Sequence, residues 1–186
     1  MGGAGWGGVT PDKTLRCGLP VPYVYFEVML SFPTRSLGVG AIQVVGDLDP
    51  DDKVWLEGDQ RPAGAVRITG RLSAAGTGRF YFSGKFAGPT LGECRRCLVE
   101  VNTEIGTDVH LLFADTEAED ESEDDPDVFP LSTGRSGSEV DLRPALREQW
   151  LLEIPAFVLC RPDCKGLCLT CGANLNQGAC SCTRKT

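Results

Sequence analysis

Val99-Glu-Val101-Asn-Thr103-Glu-Ile105-Gly-Thr107-Asp-Val109-His-Leu111-Leu-Phe113 alternates apolar or β-branched residues with polar ones almost without a break. Successive side chains of a strand point to opposite faces, so a period of two marks one buried and one solvated face. No other alternation in the chain is as long, and a strand of this length is expected to bend or bulge near Gly106. Upstream, Val66, Ile68, Gly70 and Leu72 alternate with polar residues, Gly76-Thr-Gly78 supplies a turn, and Phe80, Phe82 and Phe86 take up the alternation again. That is a hairpin pattern, with glycines for the positive φ of the turn. A short strand is expected after Pro89, ending at Cys94. Cys94-Arg95-Arg96-Cys97 then falls at the turn between two antiparallel strands.

Outward from this centre, Tyr23–Phe32, Val39–Leu48 and Val128–Leu131 are further strand candidates, and Asp49-Pro50-Asp51-Asp52 is a turn by composition. Val54-Trp55-Leu56 reads as a small apolar patch in a long polar loop, and Ser132–Ser138 as another loop. One helix is expected over Asp141–Ile154. Asp141 is its N-cap, Pro144 falls in the first turn, Leu142, Ala145, Leu146 and Trp150 form its apolar face, and Pro155 stops it. The expected fold is α+β: a mainly antiparallel sheet or partly closed barrel, one packed helix and a C-terminal cysteine-rich, metal-binding tail. The expected divisions are a disordered segment over 1–22, an α+β domain over 23–159 and the tail over 160–182. Met29, the only internal methionine, is a candidate alternative start.

With 186 residues the chain is long enough to bury a core without help from its cysteines. No apolar run approaches the roughly 20 residues needed to cross a bilayer, and residues 1–20 carry no secretion-signal core, so a cytoplasmic protein with reduced thiols is expected. The net charge of −8 is concentrated: nine acidic residues and no basic one lie between Asp115 and Asp127, and without them the remainder is +1. That segment reads as a solvated loop held extended by self-repulsion.

The chemistry lies in the cysteines. Six of the nine fall between Cys160 and Cys182, two more are Cys94 and Cys97, and Cys17 stands alone. Cys168-Leu-Thr-Cys171-Gly172 is a zinc-knuckle pattern: thiolates two residues apart reach one ion, and the glycine allows the tight turn that aims amides at sulfur. Cys180-Ser-Cys182 can complete that site. Cys94 and Cys97 form a second knuckle without the trailing glycine, which Cys160 and Cys164 can complete. The alternative is one site from Cys160, Cys164, Cys168 and Cys171, leaving the upstream pair to Cys180 and Cys182 or unmetallated. Two zinc ions are expected, with iron–sulfur as the rival, since four thiolates bind either. Cys164-x3-Cys168-x2-Cys171 also has radical-SAM spacing, but that motif opens a large barrel and only 15 residues follow it here. The single histidine, His110, sits in the polar phase of the long strand and is expected to face solvent. No nucleophile–base pair appears, and four-thiolate zinc leaves no open coordination position, so no enzyme is expected.

Several segments together resemble one family. They are Glu93-Cys94-Arg95-Arg96-Cys97, Leu111-Leu112-Phe113 before the acidic loop, Asp141-Leu142-Arg143, Leu151-Leu152-Glu153-Ile154-Pro155, Cys164-Lys-Gly-Leu-Cys168, Cys171-Gly172-Ala-Asn174-Leu-Asn176 and Cys180-Ser-Cys182. The chain is similar, over roughly residues 30–182, to the bacterial YceD-like family of large ribosomal RNA subunit accumulation proteins. The resemblance implies a role in 23S ribosomal RNA synthesis, processing or stability and in large-subunit assembly, with ribosomal RNA or a pre-large-subunit particle as partner. It implies no known catalytic activity. Arg95 and Arg96 on the upstream knuckle, with Arg161, Lys165, Arg184 and Lys185 in the tail, are the candidate phosphate contacts. The alternative is a zinc-bound adaptor that docks a ribosomal protein or a nuclease through the acidic loop. Neither reading involves a membrane.

Overall fold

The computed structural model describes residues 30–38, 40–115, 128–134 and 137–182. The segment 1–22 expected to be disordered, Met29, most of the strand expected over Tyr23–Phe32, Cys17, the acidic stretch beyond Asp115, Arg184 and Lys185 lie outside them. In chain order the elements are β1 (Ser31–Pro33), a 3₁₀ turn (Thr34–Leu37), β2 (Ala41–Leu48), β3 (Val66–Ala74), β4 (Arg79–Glu93), β5 (Glu100–Ala114), β6 (Val128–Pro130), β7 (Ser132–Gly134), β8 (Gly137–Asp141) and α1 (Leu142–Glu153).

The larger sheet has the order β2-β3-β4-β5-β6, antiparallel except for the β5–β6 pair, and a smaller antiparallel sheet has the order β1-β8-β7. Its terminal strands β2 and β6 are not paired with each other, so the open-sheet form of the expectation is the one observed. β4 does not break at Pro89. It runs for 15 residues and pairs with β5 in one unshifted register from Arg79↔Ala114 to Glu93↔Glu100. The ladder therefore carries no bulge at Gly106, which pairs with Ala87 in step with its neighbours. An unbroken register keeps Phe80, Phe82, Phe86, Ile105, Val109, Leu111 and Phe113 on the one buried face. It also carries the turn that holds Cys94 and Cys97 out to the far end of the sheet.

Within the Ser132–Ser138 stretch expected as a loop, the described residues 132–134 form β7 and 137–138 begin β8. Strands this short cannot display a period, so nothing in the sequence marks them. The helix is as expected. Asp141 caps it by accepting from the Arg143 amide at 3.0 Å, and Leu142, Ala145, Leu146 and Trp150 are buried against the sheet.

Loop 49–65 is a working part of the core. Asp49 and Asp52 close its turns, accepting from the Asp51 and Val54 amides at 2.8 and 2.9 Å. Trp55 is buried, donates its indole N–H to the Asp49 carbonyl at 2.9 Å and stands edge-on to Trp150. Asp59 takes a bidentate grip on Arg147 at 2.6 and 2.8 Å. That guanidinium holds the Asp59 carboxyl below its ordinary value.

Gly70 and Gly84 face each other across β3 and β4, with the Phe82 ring lying over both. A Cβ on Gly84 would meet the Thr69 carbonyl oxygen, the Phe82 ring at 2.6 Å and the Gly70 Cα at 2.8 Å. Two of these neighbours are backbone and cannot swing aside. Gly84→Ala is expected to cost about 1–3 kcal/mol, the range for an overpacked core. Urea unfolding checks this, and an unchanged midpoint would mean that the Phe82 ring is free to leave.

Candidate metal centres

Two turns of the same design present the paired cysteines. At the β4–β5 turn, the Cys94 amide donates to the Val99 carbonyl and the Leu98 amide to the Cys94 carbonyl, both at 2.8 Å. In the tail, the Cys168 amide donates to the Ala173 carbonyl and the Gly172 amide to the Cys168 carbonyl, again both at 2.8 Å. Each turn places a left-handed residue directly after its second cysteine: Leu98 at φ 59° and Gly172 at φ 74°. Only glycine takes that conformation without a steric cost. The upstream turn is thus a knuckle despite lacking the glycine that makes the tail knuckle easy to see.

The eight sulfurs gather into two sets of four. Cys94, Cys97, Cys160 and Cys164 form one, Cys168, Cys171, Cys180 and Cys182 the other, and within each set all the sulfur atoms lie within 4.8 Å of one another. The Cys160–Cys164–Cys168–Cys171 alternative is not formed, and the triplet with radical-SAM spacing is split between the two sets. Within the sets, Cys94 and Cys164 lie 3.8 Å apart, Cys97 and Cys160 3.6 Å, and Cys168 and Cys180 3.3 Å. An ion bound tetrahedrally by thiolates at about 2.3 Å needs sulfur–sulfur edges of about 3.8 Å. A disulfide needs about 2.05 Å. The two sets therefore fit metal ions, and all eight cysteines are free thiols.

The first set joins the tail to the sheet. Val158 bridges Cys94 in parallel, and its carbonyl accepts from the Arg95 amide at 3.0 Å. The Arg96 carbonyl accepts from the Leu167 amide at 3.0 Å. The Arg96 guanidinium donates to the Cys164 carbonyl at 2.9 Å and to that of Pro162 at 3.5 Å. Cys94, Cys97 and Cys164 are buried with Val101 and Leu167, a small core of their own beside the main one.

The protons are shared unevenly. Backbone amides pull Cys94 down to about 6, that of Cys160 foremost, against the opposing effect of burial. Amides of Cys171 and Thr170, with the Cys180 thiol, likewise bring Cys168 down to about 6. Cys160 is pushed up to about 12 by removal of its sulfur from water and by the neighbouring thiols, and Cys182 is pushed up to about 12 chiefly by the Cys171 thiol. In the first set Cys94 and Cys164 are drawn toward the thiolate and Cys97 and Cys160 away from it; in the second Cys168 is drawn toward it and Cys182 away, so an incoming ion displaces protons from the raised sulfurs. Metal uptake must release protons, and acid must reverse it.

The basic residues divide. Arg96 is committed to the two tail carbonyls. Arg161 donates to Asn176 Oδ1 at 2.7 Å and lies 3.5 Å from Asp163. Arg95 is exposed, with its guanidinium 4.6 Å from the centroid of the exposed Phe157 ring. Lys165 is exposed, and among the described residues its ammonium has no ion pair. His110 faces solvent as expected, its Nδ1 sharing a 2.8 Å hydrogen bond with the Tyr81 hydroxyl. Among the described residues no helix is long and apolar enough to cross a membrane. The residue the sequence reading missed is Asn176, whose amide reaches Cys164. Its signal was the pair Asn174-Leu-Asn176 between Cys171 and Cys180, polar residues confined inside a metal-sized loop.

Fold and site together define an antiparallel-sheet protein whose C-terminal tail is gathered into two four-cysteine clusters. The chain belongs to the YceD family: the family model described as large ribosomal RNA subunit accumulation protein YceD matches residues 82–186. An uncharacterized protein of Mycobacterium tuberculosis is 39% identical over 95 residues, 50% of this chain and 44% of that protein. A maize protein named large ribosomal RNA subunit accumulation protein YCED homolog 1, chloroplastic, is 53% identical over 47 residues, 25% of this chain and 16% of that protein. Its Arabidopsis thaliana namesake is 45% identical over 47 residues, 25% of this chain and 15% of that protein. The chain thus spans less than half the length of these relatives. No solved structure matches.

Proposed function

We propose that this chain is a non-enzymatic factor in the synthesis, processing or stability of 23S ribosomal RNA and in assembly of the large subunit, with one zinc ion in each four-cysteine cluster. The observation that carries the reading is the gathering of cysteines from two distant parts of the chain into two tetrahedron-sized sulfur sets, in a member of a family described by large-subunit RNA accumulation. Zinc suits the role because four thiolates close its coordination and leave it a structural ion. Exposed Arg95 and Lys165 support contact with RNA phosphates at the cluster end of the sheet, and Arg184 and Lys185 extend the same charge in sequence. The Arg96 guanidinium also holds two tail carbonyls, so its reversal would disturb the fold as well as the charge, and the informative charge reversal is Arg95→Glu with Lys165→Glu.

Depletion in the host is expected to lower 23S relative to 16S ribosomal RNA. The native protein is expected to be colourless and to carry two zinc ions per chain. The Arg95→Glu, Lys165→Glu variant is expected to keep its zinc and lose RNA crosslinks. An unchanged 23S to 16S ratio under verified depletion overturns the ribosomal reading. A brown protein with charge-transfer absorption replaces zinc by an iron–sulfur cluster. Crosslinks to a ribosomal protein or nuclease with none to RNA turn the factor into an adaptor.

A further inference from the structure

We propose that Asn176 couples the two clusters, so that the Cys94–Cys97–Cys160–Cys164 set holds its ion tightly only while the Cys168–Cys171–Cys180–Cys182 set holds its own. The inference rests on the metal reading above and goes beyond it by making the pair of sites a single unit.

Asn176 lies in the loop between Cys171 and Cys180, which an ion in the second set would close. Its side chain, however, serves the first set. Asn176 Oδ1 accepts from the Lys165 amide at 2.8 Å and from the Arg161 guanidinium at 2.7 Å. Both partners can only donate, which settles which end of the amide is the oxygen. Nδ2 therefore faces Cys164 Sγ at 3.3 Å and Asn174 Oδ1 at 2.9 Å. All four hydrogen-bonding positions of the amide are used. Asn174 Oδ1 also accepts from the Asn176 backbone amide at 3.0 Å, which fixes the side chain on its own loop. The loop is docked by a bridge between Leu167 and Asn174 and by the Leu175 amide donating to the Gly166 carbonyl at 2.9 Å.

An N–H aimed at sulfur favours the thiolate, the form that binds metal, and orients its lone pairs. Outer partners of this kind are worth roughly 10- to 100-fold in metal affinity. The second set is the more open of the two. Cys94, Cys97 and Cys164 are buried, whereas each of Cys168, Cys171, Cys180 and Cys182 is at least partly exposed. Chelators and oxidants reach the second set first. Its loss frees the loop, withdraws Asn176 from Cys164 and loosens the cluster that ties the tail to the sheet.

The test titrates the full chain with Co²⁺, read by thiolate charge-transfer absorption, and with Zn²⁺ against a chromophoric chelator. Cys182→Ser disables the second set and leaves the first to be measured alone, and Cys94→Ser does the reverse. First-set affinity is expected to fall about 10- to 100-fold in Cys182→Ser and by a similar factor in Asn176→Ala. The double variant is expected to fall no further, and Asn176→Ala in the Cys94→Ser background is expected to bind at the second set as before. The near-ultraviolet signal of buried Trp55 and Trp150 verifies the sheet domain in every sample, and limited proteolysis after Pro155 the tail. If Asn176→Ala disorders the tail, Asn176→Asp retains the acceptor for Lys165 and Arg161 and replaces only Nδ2, the donor to Cys164 and Asn174. Unchanged first-set affinity in Asn176→Asp or Asn176→Ala overturns the coupling, as does a double variant that falls by the product of the two. Failure of either set to bind Co²⁺ or Zn²⁺ in the wild-type chain overturns the metal reading itself, and the coupling with it.

Discussion

Cys94→Ser is expected to release the tail and leave the sheet standing. Cys94 is fully buried, its sulfur lies 3.8 Å from that of Cys164, and its backbone carries both hydrogen bonds of the β4–β5 turn. A serine hydroxyl is a poor substitute for a thiolate ligand, so the first set loses its ion. Apparent binding energies of structural zinc run to about 10–16 kcal/mol, and in such sites that energy is folding energy. The tail buries little else: among the described residues beyond Pro155 only Cys164 and Gly166 are buried, and Phe157 and Leu169 are exposed. The sheet does not depend on it. Phe82, Phe86, Phe113 and Trp150 form a separate core, and the Cys94, Cys97 and Cys164 group is a satellite beside it. Limited proteolysis is therefore expected to cut the variant between Pro155 and Cys160, and zinc content to fall below the two ions expected of wild type. The near-ultraviolet signal of Trp55 and Trp150 is expected to stay. A strong chelator should reproduce the effect without mutation. Loss of the tryptophan signal along with the metal would show that sheet and tail fold as one unit, and would sink this division.

Residues with a long period were legible and those acting through single contacts were not. The 15-residue strand β5 and the face of α1 announce themselves because burial repeats at fixed spacing. The knuckles are legible because a metal demands cysteines at close spacing, but their grouping is not. Pairing Cys94 with Cys164 spans 70 residues, and only the register that brings the β4–β5 turn beside Val158 decides it. Three further roles share one cause. Arg96 also clamps tail carbonyls, the loop patch Val54-Trp55-Leu56 supplies a core tryptophan, and Gly70, in phase with the alternation, is half of a glycine pair. Each depends on what the chain brings opposite a residue, which its neighbours in sequence do not encode.

Trp150→Ala is expected to be the most damaging single change to the sheet domain, at about 3–5 kcal/mol. The indole is 1% exposed, sits edge-on to Trp55 at 6.5 Å and meets the Phe86 ring at 6.1 Å. It thus touches the helix, loop 49–65 and the sheet at once. Its Nε1–H donates to the Gln60 carbonyl at 3.1 Å, so truncation both opens a cavity and strips a partner from that carbonyl. Other ties hold the loop to the rest, among them the Asp59–Arg147 pair, Gln60 Nε2 donating to the Leu91 carbonyl at 2.7 Å and the Ala63 amide donating to the Pro89 carbonyl at 2.8 Å. These limit how far the loop can collapse into the void, which places the cost toward the upper end of the range. Trp150→Phe separates the two terms, because it fills most of the volume and cannot donate. Its loss is expected to be about 1–3 kcal/mol, dominated by the unpaired carbonyl. Urea unfolding of zinc-loaded protein measures both, with zinc content as the control for the tail. A Trp150→Ala loss under about 1 kcal/mol, well below the usual cost of truncating a buried tryptophan, would mean that the loop closes over the gap and that α1 is held by Leu142 and Leu146 instead.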